Sequence, residues 1–303
     1  MTQHSQLGEG TILFGGSGFL GSRILERAPR MISVGRTKPT APNEHIPIES
    51  IADLRALSGR RFERVIFAVG NSDRPGLDRE DVPAGEPNAY HYHTLPLLDV
   101  FEQIKAYPIR SFVRFSTIHV YDMSRATLPV GEDAPIDPYR SRHAFSNHLG
   151  DEACRFYSQR FPIVNVRLSN MYGPSRARRY DLIDAIITQI LAAGRAEVMS
   201  LEPERDFIYA DDVADAALLL SNVEQTCTVN VGSGEATSVR RIVEILRDVS
   251  GCPITSLDRA VDGPMRFQCD VRAIERLTGW RPRVSIDDGL RRTYAQMKTW
   301  RSA

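Results

Sequence analysis

Cysteine is scarce and scattered. Cys154, Cys227, Cys252 and Cys269 form no C-x-x-C pair and no disulfide framework, which argues against an oxidising compartment and against structural zinc. Excess charge is missing too. The 38 Lys plus Arg balance the 38 Asp plus Glu, for a formal net charge of zero. Nothing at that level calls for nucleic acid or an anionic membrane as partner. No apolar run approaches the roughly 20 residues of a membrane span. Residues 1–10 are polar and lack the charged and apolar regions of a secretory signal. The expectation is a cytoplasmic protein. Internal repeats and low-complexity segments are absent as well. The 303 residues suffice for one elaborate domain or two packed lobes.

What is present is an alternation. Short apolar runs at 11–14, 31–34, 65–69, 112–115 and 163–168 are separated by helix-like spacing at 19–28, 51–57, 90–104 and 145–160. That rhythm marks an α/β fold, a doubly wound parallel sheet covered on both faces. After Pro174 the rhythm changes. Helical patterns at 182–191, 211–220, 239–249 and 271–277 and a brief strand at 229–231 predict a smaller C-terminal lobe. The expected division is 1–171 with 205–234 returning to it, and 172–204 with 235–303 as the second lobe. The stretch 73–87, rich in Pro, Gly, Asp and Glu, reads as a loop.

The first strand runs into Gly15-Gly16-Ser17-Gly18-Phe19-Leu20-Gly21, and a helix follows. Glycines in that place let the backbone approach a pyrophosphate, and the helix start offers its free N–H groups to the anion. The reading is a Rossmann-type nicotinamide dinucleotide site. At the end of the second strand stands Val34-Gly35-Arg36-Thr37, where an acidic residue would accept hydrogen bonds from the adenosine ribose. Arg36 instead suits a 2′-phosphate, so NADP is favoured and NAD is the alternative. A plain solvated arginine stays open.

The spacing Gly15-x-x-Gly18-x-x-Gly21 resembles the extended short-chain dehydrogenase/reductase family, which includes nucleotide-sugar epimerases, dehydratases and reductases. Further segments resemble it in the family's order. They are Phe115-Ser116-Thr117-Ile118-His119-Val120-Tyr121; Arg167-Leu168-Ser169-Asn170-Met171-Tyr172-Gly173-Pro174; Arg205-Asp206-Phe207-Ile208-Tyr209-Ala210-Asp211-Asp212; Asn230-Val231-Gly232-Ser233-Gly234; and Arg266 with Asp270, Gly279-Trp280-Arg281-Pro282 and Gly289. By this resemblance Asp53 and Leu54 lie near the adenine, and Ala68, Val69 and Ser116 line the cofactor. Asn170, Arg205 and Arg266 contact the diphosphate or nucleotide of a nucleotide-sugar substrate. Arginine forks suit such oxygens. A homodimer joined through helices near 90–104 and 146–160 is also implied.

The family's chemistry rests on a Ser/Thr and a Tyr-x-x-x-Lys, whose lysine lowers the tyrosine pKa and holds the nicotinamide ribose. Thr117 fills the first place. The second is broken. Reading back from Ser146, Gly150 and Asp151 puts His143 at tyrosine and Asn147 at lysine; reading forward from Pro138 puts Tyr139 at tyrosine and His143 at lysine. The first register has more agreeing positions, and neither has a lysine. His119 is a further candidate. Tyr90 stands where the family has asparagine, with Asn88 nearby. Without a cationic neighbour a tyrosine is a poor base at neutral pH, whereas reducing a ketone needs only a proton donor, which histidine supplies. The expectation is therefore reduction of a nucleotide-linked keto-sugar. Two rivals stay open: an epimerase with a rearranged acid/base pair, and a protein that binds both ligands without turnover.

Overall fold

The computed structural model describes residues 8–70, 88–177, 179, 181–261 and 263–302. The stretch expected to loop at 73–87 lies outside the described residues, as do the first seven.

Along the chain, β1 (Thr11–Phe14) leads into α1 (Phe19–Arg27), then β2 (Ile32–Gly35), β3 (His45–Pro47) and β4 (Arg64–Phe67). The helices α2 (Ala89–His93) and α3 (Leu95–Ile104) precede β5 (Ser111–Thr117), α4 (Arg142–Tyr157), β6 (Ile163–Leu168) and β7 (Asn170–Tyr172). Next come α5 (Leu182–Ala193), β8 (Ala196–Val198), β9 (Glu204–Tyr209), α6 (Ala210–Leu220) and β10 (Cys227–Val231). The chain closes with β11 (Ala236–Ser238), α7 (Val239–Ser250), β12 (Ile254–Ser256), α8 (Arg272–Thr278) and α9 (Ile286–Ser302).

Seven strands form one sheet in the order β10-β6-β5-β4-β1-β2-β3, and every pairing in it is parallel. The expected doubly wound α/β fold is what the chain adopts. Alternation of side chains along each strand, with both faces covered, explains why the runs are mostly apolar, with buried polar exceptions such as Arg114 in β5 and Asn165 and Arg167 in β6. Leu13, Ile66, Val113 and Val164 enter the core on one face, beneath α1 and α6. Ile12, Phe14, Val65, Phe67, Phe112 and Ile163 enter the core on the other, beneath α3 and α4. The small residues Ala214 and Ala217 let α6 sit close to the sheet. Small sheets β11-β9-β7 and β12-β8 lie beyond it, and α5, α7 and α9 close a third core.

Registers align the strand ends. Phe14 pairs with Val34 and Phe67, Phe67 with Arg114, and Thr117 with Leu168. The residues that follow these strands therefore gather at the carboxyl edge of the sheet, where doubly wound folds hold their ligands.

Three local expectations are corrected. The helix at 51–57 is a single 3-10 turn, Arg55–Leu57. Asp53 accepts a hydrogen bond from the Arg55 N–H at 3.1 Å, and that local turn competes with a helix. The helix at 90–104 is two helices, because Pro96 has no N–H to give and fits only the first turn of α3. The helix expected from 145 starts at Arg142, since the Ser141 hydroxyl accepts the Ala144 N–H at 3.0 Å and caps it. That extra turn carries His143. The longest helix among the described residues, α9, was not anticipated. Its stripe of Leu290, Tyr294 and Met297 packs into the third core.

Candidate active site

A cleft of about 1000 Å³ runs along the carboxyl edge of the sheet and under the C-terminal elements. Its lining falls into three parts.

The first is the glycine turn. Gly15 has φ of +89°, and a Cβ there would lie 2.5 Å from the Ala68 carbonyl oxygen. A Cβ on Gly21 would lie 2.1 Å from the Gly15 carbonyl oxygen. Only glycine lets this turn close against both the neighbouring strand and its own helix. The N-terminus of α1 has no side-chain cap and no acidic residue in its first turn. Its N–H groups and positive dipole end are left for an anion. Gly18, Phe19 and Leu20 line the cleft, with Ala68 and Val69 beside them; Gly15, Gly16, Ser17 and Gly21 support the turn from behind or from its exposed side. This cradle fits a dinucleotide pyrophosphate.

Arg36 is exposed just past β2 and has no hydrogen-bond or ion-pair partner among the described residues. Asp53 is engaged instead with Arg55, whose Nε donates to it at 2.8 Å. Leu54 is buried in the core. Neither Asp53 nor Leu54 lines the cleft.

The second part is the corner between β5 and α4. Thr117, Ser116, His143 and Asn147 all line the cleft there. His143 and Asn147 share one face of α4, one turn apart. Tyr139 lies in the turn Pro138–Arg140, is 81 % exposed, and stands outside the cleft lining. Geometry thus gathers the members of the first register and leaves out the tyrosine of the second. The Thr117 hydroxyl accepts the His119 N–H at 3.2 Å, so its own proton is left to donate. Tyr172 also lines the cleft, and burial pushes its phenol pKa up, away from any role as a base.

Three imidazoles meet in this corner. The His143 ring stands edge-on to His93 at 5.1 Å and to His119 at 5.8 Å. They pack ring against ring, and among the described residues no group of three or more His, Cys, Asp or Glu is placed to hold a metal ion. His93 is buried and meets the Ser146 hydroxyl at 2.9 Å. Arg140 reaches Nδ1 of His119 at 3.1 Å. Arginine only donates, so His119 Nδ1 must accept, which makes this imidazole neutral with its proton on Nε2. Its surroundings agree. Desolvation in the cleft and the neighbouring His143, Arg140 and Arg205 lower its pKa, although the ring keeps an exposed surface. Sequence reasoning missed His93. Its only local signal was a histidine inside a short helical stretch; the packing of α2 on α4 brings it to the site.

The third part is the far end, where Asn170 and Arg205 line the cleft. Asn170 donates from Nδ2 to the Asp206 carbonyl at 2.9 Å. Asp206 in turn anchors this region: its carboxylate accepts from the N–H groups of Ser233, Gly234 and Cys269 at 2.7–3.1 Å. Arg205 is half-buried, donates to the Glu204 carbonyl at 3.0 Å and has no carboxylate partner among the described residues; burial lowers its pKa. A desolvated guanidinium without a counter-charge favours an anion from outside. Arg266 differs. It is exposed, pairs with Glu204 at 3.1 Å and is not part of the lining. Arg179 also lines the cleft, its guanidinium 3.6 Å above the Phe19 ring, a neighbour that motif reading did not find.

A doubly wound sheet with a glycine cradle at its carboxyl edge is the architecture of dinucleotide-binding proteins. The profile of the NAD dependent epimerase/dehydratase family matches residues 11–232, and the chain belongs to that family. Its relatives include a putative UDP-glucose 4-epimerase of Methanocaldococcus jannaschii, 26 % identical with 95 % of this chain and 98 % of the relative covered. A dTDP-6-deoxy-L-talose 4-dehydrogenase (NAD(P)(+)) of Kitasatospora kifunensis is 28 % identical over 95 % of each chain. In fold, the chain is similar to the crystal structure of UDP-glucose 4-epimerase with UDP-glucose from Thermotoga maritima. The TM-score is 0.83 at 22 % identity, covering 96 % of this chain and 99 % of that one. No helix among the described residues is long and apolar enough to cross a membrane.

Proposed function

We propose that the protein reduces a ketone on a nucleotide-linked sugar with NADPH. The observation that carries this reading is the corner at His143: an imidazole stands one helical turn from Asn147 and beside Thr117, and no lysine lines the cleft among the described residues. Oxidising an alcohol calls for a base poised near neutrality, and an unassisted tyrosine is not one. Reducing a ketone calls for an acid, which an imidazolium provides.

The bound coenzyme would supply the hydride that reaches the carbonyl carbon. The chain's own residues would do the rest. The Thr117 hydroxyl donates to the carbonyl oxygen and withdraws charge from it. His143 passes its proton to that oxygen as the alcohol forms. The neutral His119, proton on Nε2, adds a second donor at the cleft wall without a competing charge. Arg205 and Asn170 hold the diphosphate end, while Arg266, paired with Glu204, stands outside the lining. Gly15, Gly16, Ser17, Gly18, Phe19, Leu20 and Gly21 hold the pyrophosphate of the coenzyme, with Ala68, Val69 and Ser116 along it. Arg36 supports NADP over NAD, because its free fork matches a 2′-phosphate. In this reading 172–204 and 235–303 form the substrate lobe, and copies pair through α3 and α4. Leu95 on α3 and Phe156 on α4 are large apolar side chains left 45 % and 68 % exposed. Light scattering should find a dimer, and Phe156→Glu should make it a monomer.

The test is direct. Purified protein, NADPH and a panel of nucleotide 4-keto-sugars should show loss of the reduced-nicotinamide band at about 340 nm with at least one of them. No loss with any of them overturns reduction. The second reading, epimerisation, is favoured by the names of two relatives, and product formation without net coenzyme consumption would support it instead.

A further inference from the structure

Beneath the catalytic corner lies a charge that the chemistry above does not use. Arg114 is in the middle of β5 and is 1 % exposed. A guanidinium so deeply buried must be paired and fully hydrogen-bonded to persist. Its NH1 group donates to Asp151 and, at 2.9 Å, to Asn165 Oδ1. Its NH2 group donates to the Asn147 carbonyl at 3.0 Å and lies 3.4 Å from Asn147 Oδ1. Asp151 is shared. Arg167 reaches it at 3.4 Å, and Ser116 donates to it at 2.7 Å. Burial opposes ionisation of Asp151, but the two guanidinium groups outweigh burial and hold its pKa down. Among the described residues two cations therefore face one carboxylate, and one positive charge is left over behind Ser116 and Asn147.

The space for it is built in. A Cβ on Gly150 would run into the Arg114 guanidinium, so the glycine in α4 leaves the room that the arginine occupies. The arginine also decides how Asn147 is turned. Because Arg114 can only donate, Oδ1 of Asn147 faces it, and Nδ2 is directed the other way, donating to the His143 carbonyl at 3.0 Å.

We propose that Arg114 is a positioning residue that supplies, from inside the sheet, the positive charge which a lysine at 147 would have carried into the cleft. The charge comes through Asn147 instead of from it. This inference rests on the dinucleotide reading of the cleft.

The test is a charge relocation, read as NADPH affinity by calorimetry, with thermal melting to check folding. Arg114→Met should weaken binding about tenfold. Arg114→Lys, which keeps the charge and loses the fork, should stay within about threefold of the native protein. The double variant Arg114→Met with Asn147→Lys should regain most of the loss, since Asp151 keeps Arg167 and the cation returns on the cleft side. A purely structural arginine predicts the opposite: Lys as poor as Met, and the double variant worse than either. Either of those results overturns the proposal, as does native affinity in a folded Arg114→Met. If Arg114→Met does not fold, the Arg114→Lys affinity decides alone. Failure of the native protein to bind any dinucleotide overturns the underlying reading of the cleft as well.

Discussion

Two parts of the cleft handle charge differently. At residues 15–21 the work falls to backbone: glycines that close a turn and N–H groups at the start of α1. At the β5–α4 corner it falls to side chains: three imidazoles in front and a buried arginine behind. The first kind of site depends on where Cβ atoms are absent, so its spacing is held tightly by geometry. The second depends on functional groups and their surroundings, and different residues meet the same need. That is why one end follows its family's pattern while the other departs from it.

Substituting the turn gives the largest expected effect. Gly21→Val puts side-chain atoms against the Gly15 carbonyl, and should cost about 3 kcal/mol of stability and more than about 100-fold in dinucleotide affinity. Melting and calorimetry measure both; near-native affinity would break the claim that backbone closure makes this end. Next is the corner. His143→Ala should lower kcat by roughly 10²–10⁴ while leaving the coenzyme KM nearly unchanged, and Tyr139→Phe should change kcat by less than about twofold. A large loss from Tyr139→Phe would restore the other register.

A smaller effect is expected at Arg36. Its replacement by Ala should raise the KM for NADPH about tenfold more than that for NADH, or about 1.4 kcal/mol of selectivity. Equal changes would mean a solvated arginine and return the coenzyme to NAD. The smallest concerns pH. His119 is held neutral in the native state, with its pKa lowered from 6.5 to about 3. Below 6.5 the unfolded chain takes up a proton that the native chain refuses, so stability falls as pH drops through that window. The His119 side chain is exposed in the cleft, and solvent screening keeps the effect small. Asparagine retains an acceptor for Arg140, so melting of His119→Asn should depend less on pH between about 4 and 6.5 than melting of the native protein. Parallel curves would show that His119 is not the titrating group.

Much of the fold is legible in the chain. Continuous apolar runs and helical spacing place six of the seven strands of the main sheet, because a strand buried on both faces is apolar along most of its length. The small sheets are not legible. Three-residue strands such as β7, β8 and β11 carry no periodicity and exist only through their partners. At the site, Thr117, Asn170 and Arg205 are found from motifs and do line the cleft. Asp53 is also motif-based, but Arg55 two residues on takes its carboxylate. Arg266 is taken by Glu204 in the same way.

By itself, then, the order of residues determined the parallel sheet, the glycine turn after its first strand and the absence of a lysine at 147, since each follows from local sterics and composition. Tertiary packing alone decided that His93 joins His143 and His119, that Tyr139 stands away from the cleft, and that Arg114 lies behind Asn147. The reason is that these relations cross from β5 to α2 and α4, and the distance between side chains on separate elements is set by how the elements pack, which no local pattern records.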